Sequence, residues 1–145
     1  MKWIIIVIGM FFLSLNGCSS SKDISSNQGG VFFYLGSGFD QDKIEVYFND
    51  SQFELTVTTD FSIGVVLSSF FKCLDQDIYL IENGSIIETK KINTCDFLKL
   101  TIKGGGNKLL EQKIDSSKGK YIMIDKDQIS KLLKVYQSKK PIIVE

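Results

Sequence analysis

The stretch DIYLIENGSIIETKKI, residues 77–92, decides the fold class of this 145-residue chain. Asn83 and Gly84 stand between two runs rich in isoleucine, tyrosine and threonine, which is the strongest short-range hairpin signal in the sequence. Asparagine and glycine are favoured there because a tight two-residue hairpin turn needs positive φ angles at both positions. The sequence therefore predicts two antiparallel strands joined at this pair.

Alternation of apolar and polar residues continues this β pattern on both sides of the hairpin. In the stretch KIEVYFN, Ile44, Val46 and Phe48 fall on one side of a predicted strand. Tyr47 falls on the opposite side. Similar alternation flanks the glycine run at 104–106, and the chain contains no alanine, so local propensity favours strands over helices.

These patterns predict an all-β fold, an antiparallel β-sandwich or jelly-roll-like domain spanning residues 31–145. The segment 126–138 is the ambiguous part, because Ile129, Leu132, Leu133 and Tyr136 fall at helical spacing. It is predicted as either a strand or one short C-terminal helix. Both outcomes leave a mainly β domain.

The N-terminus has the layout of a secretory signal. Lys2 precedes a mostly apolar run of 13 residues, 3–15, which is followed by small and polar residues. A permanent membrane-spanning helix needs about 20 apolar residues, so a transmembrane span is disfavoured. An ordinary cleaved signal with an incidental cysteine at position 18 is one interpretation.

A more specific interpretation comes from the end of this segment, which resembles the lipobox of bacterial lipoproteins: Leu15, Asn16, Gly17 and Cys18. Asn16 stands where a small or apolar residue is commoner. The resemblance implies a signal peptide at 1–17, removed as Cys18 is lipidated, with palmitate or a similar acyl chain anchoring the protein in a membrane. It also implies a location in the cell envelope. Ser19 favours the outer membrane, while the inner membrane or a Gram-positive membrane remains open, as does the side that the protein faces.

The polar segment 18–30, CSSSKDISSNQGG, lacks apolar periodicity and is predicted to be a flexible tether after the lipidated cysteine. Thirteen residues of this composition have a root-mean-square reach of about 20 Å. The predicted organisation is therefore a signal peptide, a tether and one domain.

Missing residue types exclude several functions. The chain has no histidine and no arginine, since all 17 of its basic residues are lysines. Histidine-dependent nucleophilic catalysis and bidentate guanidinium clamps on phosphate are thereby excluded. We expect no catalytic residues, no cofactor, no metal and no nucleic-acid partner.

Two cysteines remain after Cys18, namely Cys73 and Cys95. In an oxidising exported compartment an even remainder predicts a disulfide. Two separate buried thiols are the alternative, because spacing alone does not establish the distance between the two Cα atoms.

The ligand-binding candidates are Tyr47, Asp40 and Asp42. The two aspartates form a D-x-D pair, and Asp75 with Asp77 forms a second one. Carboxylates on converging loops can hold Ca²⁺, but aspartate is also an ordinary turn residue. Tyr47 is singled out because alternation places it on the face opposite the predicted core.

Together these features predict a non-enzymatic, membrane-anchored module that binds a protein or a glycan at the cell envelope. Alternatives are an inhibitor or immunity-type lipoprotein that blocks one protein partner, and a hydrolase that uses carboxylates. Residues 99–145 carry eleven lysines and five acids. This basic third either meets anionic lipid or acidic glycan, or simply forms solvated strand faces.

Overall fold

The structure is a computed structural model and describes residues 29–60, 62–66 and 68–142. Two β-sheets pack face to face as a sandwich, which confirms the predicted all-β fold class. The ten strands are β1 (Val31–Leu35), β2 (Asp42–Phe48), β3 (Ser51–Val57), β4 (Ser69–Leu74), β5 (Asp77–Glu82), β6 (Ser85–Lys91), β7 (Phe97–Gly104), β8 (Asn107–Asp115), β9 (Tyr121–Lys126) and β10 (Leu133–Ser138).

One sheet has six strands in the order β10-β9-β1-β4-β5-β6, and the other has four in the order β3-β2-β7-β8. A short 3₁₀ turn at Ser116–Lys118 is the one helical element in the described part of the chain. None of the described segments is a helix long and apolar enough to cross a membrane. The signal sequence and the lipidated cysteine predicted at 1–18 lie outside the described residues.

The hairpin predicted at Asn83-Gly84 is confirmed. The two residues have φ angles of 49° and 79°, and they connect Glu82 to Ser85 at the paired ends of β5 and β6. Positive φ at both positions is what a type I′ turn requires, so the local sequence specifies this hairpin.

The helical alternative for the C-terminal segment is wrong. Residues 133–138 form β10, which pairs antiparallel with β9. Leu133 is buried, whereas the other members of the apparent helical stripe, Ile129, Leu132 and Tyr136, are 95%, 61% and 54% exposed. The segment therefore follows the two-residue period of a strand, which buries Leu133 and half-buries Val135 against the core. It does not follow the 3.6-residue period of a helix.

One strand pairing differs from the purely antiparallel arrangement that the sequence predicts. β1 pairs in parallel with β9, placing Phe33 opposite Ile122. β1 is thus a central strand, flanked by β4 on its other side. The strand predicted across residues 65–74 is also shorter than expected, because β4 begins at Ser69 and Val65 forms only an isolated bridge to Asp60.

The core lies between the two sheets and is rich in phenylalanine. The ring of Phe48 from the four-stranded sheet makes edge contacts with Phe33 and Phe71 from the six-stranded sheet, at centroid distances of 4.8 and 5.1 Å. Phe53 joins the same group. All four rings are no more than 1% exposed, so they join the two sheets across the sandwich.

Candidate functional site

The predicted disulfide is present in the structure. Cys73, at the end of β4, bonds to Cys95, in the segment between β6 and β7, with an S–S distance of 2.01 Å and a Cα–Cα distance of 5.8 Å. Cys73 is fully buried in the core. The bond therefore ties the six-stranded sheet to the chain that crosses over to the four-stranded sheet.

Tyr47 lies on the outer face of the four-stranded sheet, as alternation predicts. Its hydroxyl donates a hydrogen bond to Glu45 Oε2 at 2.5 Å, and Lys103 Nζ lies 4.8 Å from the centre of its ring. The hydrogen bond to Glu45 raises the pKa of the tyrosine hydroxyl. Tyr47 thus belongs to a charged surface of neighbouring side chains.

Asp42 begins β2 and makes a structural ion pair. Lys126 Nζ donates to Asp42 Oδ1 at 2.6 Å, and the backbone N–H of Asp40 donates to the other carboxylate oxygen at 3.0 Å. Burial raises the pKa of Asp42, but these two hydrogen bonds and the charges of Lys126 and Lys131 outweigh it, so the pKa lies below its ordinary value. This pair closes the loop between β1 and β2 onto the end of β9.

The two D-x-D pairs do not converge. Asp42 lies where β1 and β9 end, whereas Asp75 and Asp77 lie in the turn beside the start of β1. Asp77 pairs with Lys91 at 2.6 Å, and Asp75 occupies a turn position with a φ of 57°. Within the described residues, no group of three or more acidic or cysteine side chains is placed to hold a metal ion.

The outer face of the six-stranded sheet carries the most distinctive feature. Strand pairing aligns its outward side chains into two rows that each cross all six strands. The first row is wholly apolar or aromatic: Tyr136, Met123, Tyr34, Phe70, Ile81 and Ile86. The second row runs beside it: Ser138, Tyr121, Phe32, Lys72, Tyr79 and Thr89. We call these two rows the aromatic face.

Four rings at the centre of the aromatic face stack on one another. Phe32 lies parallel to Tyr34 and to Tyr121, with centroids 6.2 and 5.5 Å away and planes within 7° of parallel. Tyr34 stacks in turn on Phe70 at 5.6 Å. Each ring therefore covers part of a neighbour, and Phe32, which stacks on two of them, is only 3% exposed.

Lys72 lies at the centre of the second row and is fully buried. Its Nζ is 5.2 Å from the centre of the Phe32 ring. Gly30, just before β1, covers the stem of this lysine, since a β-carbon at Gly30 would lie 3.3 Å from Lys72 Cε. Burial lowers the pKa of Lys72, and burial together with the charge of Tyr121 raises the pKa of Tyr34.

Exposure on the aromatic face is greatest on its two edge strands. Phe32 and Ile81 are 3% exposed, whereas Ile86 on β6 and Tyr136 on β10 are 45% and 54% exposed. Ile87, in a bulge beside Ile86, is 57% exposed. The two edges of this sheet therefore present large apolar side chains to solvent.

The outer face of the four-stranded sheet is different in character. It carries alternating charges, including an ion pair of Lys99 with Glu111 at 3.5 Å. Two shallow clefts of about 560 and 380 Å³ lie beside the turn at 104–106, and lysine and acidic side chains line both. The second cleft contains the ion pair that Asp42 makes. Neither cleft joins the predicted candidates Tyr47 and Asp42 into one site.

Sequence reasoning assigned no function to the aromatic face, although a signal for it was present. The runs VFFYL in β1 and IYLI in β5 are apolar at every position, and such runs indicate strands covered on both faces. An ordinary sandwich strand alternates apolar and polar residues. Comparison with known protein families, curated proteins and solved structures gives no match.

Proposed function

We propose that this protein is a membrane-anchored module without catalytic activity that binds another protein at the cell envelope through the aromatic face. The proposal rests on the uninterrupted apolar row across six strands, which ends in exposed Ile86 at one edge and exposed Tyr136 at the other. Exposed apolar patches on a protein surface mark interaction sites, and the exposed part of the aromatic face is Ile86 and Ile87 at one edge and Tyr136 at the other. The charged outer face of the four-stranded sheet offers no comparable patch.

A protein fits the aromatic face better than a glycan does. A ring that binds sugar by stacking must present an open face, whereas Phe32 and Tyr34 each stack on two neighbours, and Tyr121 and Phe70 each stack on one. The exposed side chains of Ile86, Ile87 and Tyr136 instead suit the apolar centre of a protein interface. Six strands span about 24 Å, which is wide enough for the central part of such an interface.

The anchor in this proposal is Cys18, which resembles the lipidated cysteine of bacterial lipoproteins. Acyl chains there attach the protein to a membrane of the envelope, and Ser19 favours the outer membrane. Labelling cells with a clickable fatty acid tests the anchor. We expect the wild-type chain to be labelled and Cys18→Ser to be unlabelled, and label on both variants or on neither would contradict lipidation at this residue.

Affinity capture from the native envelope tests the binding face. Ile86→Lys and Tyr136→Lys each place a charge at an exposed edge of the aromatic face, and Thr56→Lys is the matched control because Thr56 is exposed on the outer side of edge strand β3. We expect at least a tenfold loss of the captured protein for the first two variants, as for a truncated interface anchor. The control should retain it.

Equal capture by all three variants, with unchanged melting temperatures, would rule out the aromatic face as the binding surface. Capture of a single enzyme in a fixed stoichiometric ratio would indicate that the protein is an inhibitor of the immunity type. Recovery of polysaccharide in place of protein would contradict the proposal.

A further inference from the structure

A group of exposed lysines lies at the end of the sandwich where the chain enters β1. Gly119 packs against Ser138, since a β-carbon at Gly119 would lie 2.5 Å from the Ser138 carbonyl carbon. Four exposed lysines stand within two residues of this contact: Lys118, Lys120, Lys139 and Lys140. We call them the basic end.

Two hydrogen-bond patterns fix the basic end beside the entry point. The N–H of Phe32 donates to the carbonyl of Lys120 at 2.7 Å, two residues after Gly30. Gln137 Nε2 donates to the carbonyls of Asp115 and Gly119, both at 2.7 Å, which ties β10 to the loop before β9. The predicted tether from Cys18 therefore arrives next to these lysines.

We propose that the basic end contacts the anionic phospholipid headgroups of the membrane that holds the anchor, an inference that rests on the lipidation proposed for Cys18. The tether predicted from the sequence joins the domain at this end and has a reach of about 20 Å, so this end can reach the headgroups. Lysines close to an anionic surface add attraction that falls off within a Debye length. The place where the tether joins the domain and the positive charge of the four lysines thus both favour contact between the basic end and the membrane.

Nearby acids reduce this positive charge without cancelling it. Asp115 is the acid closest in sequence, and its Oδ1 accepts hydrogen bonds from the backbone N–H and the hydroxyl of Ser117, at 3.0 and 2.7 Å. Asp96 lies in the adjoining segment and faces the hydroxyl of Ser116 at 3.3 Å. Asp75 and Asp77 also lie at this end of the sandwich, beside the start of β1, and Asp77 is paired with Lys91 at 2.6 Å. The four lysines of the basic end still outnumber the other three acids, Asp75, Asp96 and Asp115.

An exposed aromatic residue at the same end supports a membrane contact. Phe97 begins β7, pairs with Asp115 of β8 and is 67% exposed. Basic residues next to an exposed ring are typical of surfaces that sit at the headgroup layer. With this end on the membrane, the strands rise away from it, and the aromatic face stands to the side, where a protein partner can reach it.

The absence of tryptophan after the signal sequence allows a clean test, because Trp3 is the only tryptophan in the chain. Phe97→Trp reports on the basic end. Ile129→Trp is the matched control, since Ile129 is 95% exposed in the turn at the opposite end. The processed protein purified from cells is reconstituted into neutral phosphatidylcholine vesicles, or into vesicles that also contain phosphatidylglycerol, each with brominated lipid as quencher.

We expect the fluorescence of Phe97→Trp to be quenched in phosphatidylglycerol vesicles at low salt, with less quenching at high salt and in neutral vesicles. The fluorescence of Ile129→Trp should stay unquenched throughout. A second arm uses the chain from Ser19 onward, exported with an ordinary cleaved signal peptide so that it lacks both the apolar leader and the acylated cysteine, added to the same phosphatidylglycerol vesicles. There, each lysine of the basic end changed to glutamine should weaken vesicle binding about fivefold.

Quenching of the Ile129→Trp control, whether alone or to the same degree as Phe97→Trp, would overturn the proposed orientation. Binding of the chain from Ser19 onward to phosphatidylglycerol vesicles that is insensitive to salt and to the lysine changes would overturn the headgroup contact. If the protein binds heparin more tightly than these vesicles, the lipid proposal is overturned and an acidic glycan is the ligand of the basic end. If Cys18 is not lipidated, the processed protein does not float with neutral vesicles. This result distinguishes failure of the proposed lipidation from failure of the headgroup contact.

Discussion

Reduction of the Cys73–Cys95 disulfide should destabilise the domain by about 3 kcal/mol. The bond closes a loop with a sequence separation of 22, which contains β5 and β6. In the chain-entropy account, opening this loop restores conformational freedom to the unfolded chain and so favours unfolding. Because reduction removes no side-chain atoms from the core, the change in unfolding free energy measures the contribution of the cross-link alone.

The loop-closure relation gives an entropy change of about 11 cal/mol/K for a loop of this length, or about 3 kcal/mol at 25 °C. A domain of about 110 residues has an unfolding entropy near 230 cal/mol/K at its melting temperature. The melting temperature should therefore fall by about 13 °C on reduction. Cys73 is fully buried, so reduction itself should require partial unfolding.

Urea unfolding of the exported chain from Ser19 onward, with and without a phosphine reductant, measures this difference. The double variant Cys73→Ala, Cys95→Ala is the control, and its stability should not respond to the reductant. Equal unfolding free energies for the oxidised and fully reduced protein would refute the loop-entropy reasoning. Two thiols detected in protein that was never reduced would show that the bond does not form at all.

Three further substitutions test the fold. Gly30→Ala should cost about 1–3 kcal/mol, because Gly30 has a φ of 126° and an added β-carbon would lie 2.7 Å from the Cys73 carbonyl oxygen. Gly29→Ala, with nothing within 4 Å of the new carbon, should be neutral in the same chemical denaturation assay. Asp42→Asn should cost about 1.5–3 kcal/mol at pH 7. Since the pKa of Asp42 is lowered on folding, the stabilisation is complete above its unfolded value of 3.8 and is lost as the pH falls through the folded pKa. The gap between variant and wild type should therefore close below about pH 4 in urea titrations, and a gap independent of pH would exclude the ion pair as its source. Phe48→Ala should cost about 3–5 kcal/mol by calorimetry, because the ring is fully buried, whereas Phe97→Ala should stay within about 0.5 kcal/mol. Similar losses for the two would contradict the assigned core.

Local sequence was sufficient to predict the hairpins and the inward faces. Asn83 and Gly84 specify their turn through backbone conformation alone, and Tyr47 lies opposite the core because strand side chains alternate strictly. The disulfide was predicted from cysteine number and compartment. These features depend on short-range geometry or on counting, and neither requires knowledge of strand order.

The aromatic face depends on strand order, which local patterns do not contain. Tyr34 meets Met123 only because β1 pairs in parallel with β9, and their positions in the chain are far apart. The C-terminal segment shows the related difficulty of choosing a period. Leu132 and Leu133 fit a helix and a strand equally well in isolation, and pairing with β9 decides between them.

The binding role of the aromatic face is the central claim, and crosslinking from single positions in living cells tests it most directly. A photoreactive phenylalanine analogue at position 136, on the aromatic face, should give one discrete protein adduct on irradiation. The same analogue in place of Thr56, on the outer face of the other sheet, should give none. An adduct from position 56 alone, or no protein adduct from position 136, would contradict the account.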